Sequence, residues 1–109
     1  MKPPPGHLRL MGRDITVSLL PLESLPDAYG QFDFAGHIQV RNDMDAFDTK
    51  DTVLHEVFHA IRWGQGRLYG AKVEEDYIRS LATGLIGVLQ DNPEFAKWLL
   101  SPIKQPKPK

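Results

Sequence analysis

The sequence predicts an α+β fold: a small antiparallel β-sheet packed on a helix bearing His55-Glu56-Val57-Phe58-His59 and on a second, Glu-bearing helix, with a short helix after them. Three observations carry this expectation. The first half holds short stretches rich in branched and alternating apolar residues, the mark of half-buried strands. The second half holds two long stretches with apolar residues at helical spacing, separated by a glycine-rich loop. The chain has 109 residues, of which 41% are hydrophobic and 25% charged, enough for one core and too few for two.

In chain order, residues 1–6 carry three consecutive prolines and read as a flexible tail, leaving residues 7–100 as a single domain. Ile15 to Leu20 reads as a strand and Pro21 to Gly30 as a loop. Gln31 to Arg41 alternates around Phe32, Phe34, Ile38 and Val40, and Ala35-Gly36-His37 turns it into a hairpin, so three strands are expected. A helix is predicted from Thr49 to Trp63, with Asp48 as N-cap, Asp51 near its positive end and Gly64 as its stop. The loop 64–70 leads to a second helix from about Ala71 to Gln90. Asp91-Asn92-Pro93 ends that helix and starts a third, Glu94 to Leu100, whose Phe95, Trp98 and Leu99 are expected to pack on the core. Residues 101–109 mix prolines and lysines and read as a second flexible tail.

Composition excludes several classes of function. A net charge of −1 gives no basic excess for a nucleic-acid partner, and no apolar run is long enough for a membrane span. The chain has no cysteine, which removes disulfides and thiolate chemistry; any metal must sit on histidine and carboxylate ligands. The start has no apolar stretch of the secretory kind, so a cytoplasmic location is expected. Asp43, Asp45, Asp48 and Asp51 lack the glycine and terminal glutamate of a calcium loop. His7 and His37 read as surface histidines, whereas Trp63 reads as a packing residue that also projects toward the ligand side of its helix.

The chemistry is concentrated in His55-Glu56-Val57-Phe58-His59. Two histidines four residues apart on a helix project from one face and can share one zinc ion, with the intervening Glu in reach of a water on that ion. A helical wheel places Val53, Leu54, Val57, Phe58, Ala60 and Ile61 in one arc of about 160°, with His55, Glu56 and His59 opposite. A catalytic zinc needs a third protein ligand and an open position. The second helix offers Glu74, inside the apolar stripe of Val73, Tyr77, Ile78, Leu81, Leu85, Val88 and Leu89, and Glu75 at its border beside Ala82 and Ile86. A carboxylate in either place is costly without a partner, and a cation removes that cost.

From Tyr29 to Leu100 the chain resembles the gluzincin-type zinc metallopeptidases, in particular the small ImmA/IrrE-like and phage-encoded minimal zincins. The resemblance rests on a hairpin, then Thr52 to Ala60 around the histidine pattern, then a Glu-bearing helix. In such proteins the third ligand is a Glu followed by small or apolar residues at the third and seventh positions and a polar one at the fourth. Glu75 meets that pattern with Ile78, Arg79 and Ala82; Glu74 meets it less well with Tyr77, Ile78 and Leu81. The resemblance implies that His55, His59 and Glu75 hold zinc, with Glu74 as the alternative, and that Glu56 is the general base in hydrolysis of a peptide or protein substrate. Tyr69, Tyr77 and Arg79 are candidates to support the transition state. Arg79 stands where many gluzincins carry an Asp or Asn that orients a zinc-binding histidine. A different class of function stays open beside this one: a zinc-binding regulatory or structural module with little or no turnover.

Overall fold

The computed structural model describes residues 3–10, 12–65 and 71–101. Alternating burial along the first half produces four strands: β1 (His7–Leu10), β2 (Arg13–Leu20), β3 (Gly30–Phe32) and β4 (His37–Arg41). A one-turn 3-10 helix, Leu22–Ser24, lies between β2 and β3. Three helices follow, α1 (Ala46–Gly64), α2 (Ala71–Asp91) and α3 (Pro93–Leu99). The architecture is α+β, but the sheet departs from the expected purely antiparallel, three-stranded one.

Its order is β1-β2-β4-β3. The pairs β1·β2 and β3·β4 are antiparallel, whereas β2 and β4 run parallel with Val17 opposite Ile38 and Leu19 opposite Val40. The sheet is therefore mixed. Parallel neighbours need a long crossover, and the stretch 21–36, with its 3-10 turn and β3, supplies it. The docking is driven from one face: Ile15, Val17, Ile38 and Val40 are buried together, and a one-residue slip would turn one of the two pairs to the opposite side. The extra strand, β1, precedes Gly12, whose φ of +81° suits the turn into β2.

The β3–β4 turn is organised by Asp33. Its Oδ1 accepts from the amides of Ala35 and His37 at 2.8 and 3.0 Å, and its Oδ2 lies 2.5 Å from His37 Nδ1. Within this turn Phe34 has φ +58° and Gly36 φ +103°. His37 and His7 are exposed and paired with Asp33 and Asp14.

Helix α1 begins earlier than Asp48. Asp45 is the N-cap, its carboxylate accepting from the Asp48 amide at 2.7 Å, which places Asp48 in the first turn. Val53, Val57 and Ile61 pack on the sheet around buried Ala60, while Leu54 and Phe58 are half-buried beyond that cluster. Trp63 meets Phe32 edge-on at 5.3 Å and carries the Arg13 guanidinium over its ring. It belongs to the core contacts and not to the ligand side. Helix α2 buries Ile78, Ala82 and Ile86, while Tyr77 and Leu81, expected in its apolar stripe, are exposed. Helix α3 starts at Pro93, where a missing amide costs nothing. The packing expected of Phe95, Trp98 and Leu99 and the role considered for Tyr69 lie outside what is described, as does the tail beyond Ser101. Among the described residues no helix is long and apolar enough to cross a membrane.

Candidate metal centre

The pairing of α1 with α2 brings three donors together. His55 and His59 stand one turn apart on α1 with their Nε2 atoms 3.3 Å from each other. Glu75, near the start of α2, reaches across with Oε1 2.6 Å from His55 Nε2 and Oε2 2.9 Å from His59 Nε2. Among the described residues, His55, His59 and Glu75 form a group able to hold a metal ion. The spacing suits one: ligands about 2.0–2.1 Å from a tetrahedral zinc lie about 3.3 Å apart. The donor set, two imidazoles and a carboxylate, is of the kind that leaves a fourth position open.

Electrostatics favour the ligand form of the first histidine. Burial lowers the pKa of His55 and neighbouring His59 adds to that effect, against the opposing pull of Glu75. Glu75 itself is half-buried, with Arg79 Nη2 4.0 Å from Oε1.

Glu56 is placed differently from the wheel's expectation. It is 6% exposed, and burial, aided by the charge of Glu75, pushes its pKa up to about 7. The cause is the approach of β3 over α1. A Cβ on Gly30 would stand 2.6 Å from Thr52 Cγ2 and 3.5 Å from Glu56 Cγ, so only glycine lets strand and helix come this close.

Glu74 does not join the three donors. It lies behind His59, with Oε1 3.9 Å from Nδ1 and Oε2 3.3 Å from Arg62 Nη2. The position inside the apolar stripe is thus filled by a carboxylate paired with an arginine.

An open cleft of about 640 Å³ lies over the centre. Its walls are segment 27–32 with edge strand β3, the α1 face carrying Asp51, Thr52, His55, Glu56 and His59, and Glu75, Arg79 and Thr83 of α2. Arg79 thus borders the centre, whereas Tyr77 is 64% exposed and is not among the lining residues. Asp51, which accepts from Thr83 Oγ1 at 3.1 Å, was read only as a residue near the helix start; its place one helical turn before His55 was the signal that could have put it in the cleft. Tyr29, on which the Arg41 guanidinium stacks at 4.8 Å, and Gly30 had no such signal. They reach the cleft through strand pairing. Comparison with protein-family models, curated proteins and solved structures finds no match.

Proposed function

We propose that this chain is a zinc-dependent metallopeptidase of gluzincin type, hydrolysing peptide bonds in a peptide or protein substrate. The observation that carries the reading is the convergence of His55, His59 and Glu75 on the floor of an open cleft, with buried Glu56 beside them. A divalent cation held there supplies Lewis acidity, polarising a carbonyl and acidifying a water. The chain supplies the rest. Glu56 accepts the proton of the attacking water and returns it to the leaving amine; in the metal-free protein burial already holds its carboxyl above the usual carboxylate range. The outer edge of β3 borders the cleft and offers backbone groups to an extended peptide, which can add as a further strand. Arg79, at the rim, is placed to meet negative charge that develops on the substrate.

One observation favours the structural alternative: Glu75 and the two histidines come from different helices, so a cation there also ties α1 to α2. Substituting Glu56→Gln separates the two readings. The peptidase reading expects zinc content by elemental mass spectrometry to stay at the wild-type level while hydrolysis of a peptide library falls by about 10²–10⁴-fold. A wild-type protein that holds zinc and cleaves nothing, or a Glu56→Gln variant that cleaves as well as wild type, overturns it.

A further inference from the structure

We infer that Glu74, held by Arg62, is a positioning residue for His59, fixing the proton on Nδ1 so that the Nε2 lone pair faces the metal; this rests on the metal-binding part of the reading above. An imidazole ligand uses one ring nitrogen and needs an acceptor for the N–H on the other, and that acceptor sets both tautomer and ring orientation. His59 is bracketed in this way by two consecutive residues of α2. Glu75 Oε2 is 2.9 Å from Nε2, on the metal side, and Glu74 Oε1 is 3.9 Å from Nδ1, on the far side.

The far-side carboxylate is itself restrained. Its side chain is only 14% exposed, and its second oxygen lies 3.3 Å from Arg62 Nη2. Arg62 follows His59 by three residues on α1, so the guanidinium and the imidazole rise from one face and share the same carboxylate. Arg62 Nε is buried and without a hydrogen-bond partner, and Glu74 is the carboxylate paired with this guanidinium among the described residues. The division is geometric: Oε2 answers the arginine and Oε1 is left for the histidine. A separation of 3.9 Å exceeds a hydrogen bond, and a shift of about 1 Å closes it.

Arg79 cannot take this role, because its guanidinium lies against Glu75 and carries donors only.

The test compares wild type, Glu74→Ala and Glu74→Gln, each checked for fold by circular dichroism in chelator. Zinc affinity is measured by competition with a chromophoric chelator, and the His59 tautomer by nitrogen-15 NMR of the imidazoles in the metal-free protein, since zinc on Nε2 would by itself leave the proton on Nδ1. Glu74→Ala is expected to weaken zinc binding about 10- to 100-fold and to lose the Nδ1–H tautomer. Glu74→Gln, which keeps an acceptor for Nδ1–H, is expected to recover part of the affinity and the tautomer. It also serves if the alanine variant does not fold. Wild-type zinc affinity and an unchanged tautomer in both variants overturn the inference and leave the metal centre standing. If the wild-type protein takes up no zinc, the metal-binding reading fails, and the inference with it.

Discussion

Glu56 contributes a distinct part of the pH response of the metal-free protein. Its pKa is raised by burial to about 7, whereas an unfolded chain titrates it near 4.5. Below the unfolded value both states hold the proton and the stabilising contribution is complete. It is lost as pH rises through the window to about 7, because the folded state must keep the proton or bury a charge. The shift corresponds to about 3 kcal/mol at most. His55 acts in the opposite direction, since burial lowers its pKa. The diagnostic is therefore the difference between wild type and Glu56→Gln, followed by urea unfolding in chelator from pH 4.5 to 8. The variant is expected to gain on wild type as pH rises, and a constant difference would show that Glu56 ionises freely. The histidine pair was legible in sequence because helical spacing alone puts residues 55 and 59 on one face. The burial of Glu56 was not, since a wheel drawn for α1 carries no knowledge of a strand crossing it.

That crossing is a matter of elements. The approach of β3 to α1 depends on Gly30, where a methyl group would meet Thr52 Cγ2 at 2.6 Å and the Gln39 carbonyl at 3.1 Å. Gly30→Ala is expected to cost about 1–3 kcal/mol in chemical denaturation, from overpacking. Adding Thr52→Ser, which removes the clashing methyl, should restore part of the loss, while the contact with Gln39 persists. An alanine variant as stable as wild type would mean that strand and helix separate freely. The elements themselves were largely legible: the hairpin, both long helices and the short third one follow from alternation, helical period and the glycine and proline stops. The helix start was displaced because Asp48 was read as the cap, whereas the carboxylate that reaches a free amide is that of Asp45, three residues earlier. The parallel pairing of β2 and β4 was not legible, because local pattern dictates which face of a strand is buried and not the direction of its neighbour.

At the scale of the molecule, the donors sit on helices that the sequence separates by a glycine-rich loop, so an ion held by them would link binding to stability. Under the proposed zinc reading, zinc at about 100 times its dissociation constant is expected to add about 2.7 kcal/mol, or roughly 10 °C in Tm for a domain of this size. Thermal unfolding with zinc and with chelator checks this, and His59→Ala should abolish the difference. An equal shift in the variant would place the ion elsewhere. The choice of Glu75 over Glu74 was legible only through the resemblance; physically it depends on the rotation of α2 against α1, which buries Ile78, Ala82 and Ile86 and turns the first of the two carboxylates toward Arg62. The open edge of the sheet has one more consequence. Among the described residues β3 has no strand on its outer side; three residues long and beginning with glycine, it is too brief to template the six- or seven-residue stacking from which fibrils grow. The brevity of β3 thus works against edge-to-edge aggregation at this side of the sheet.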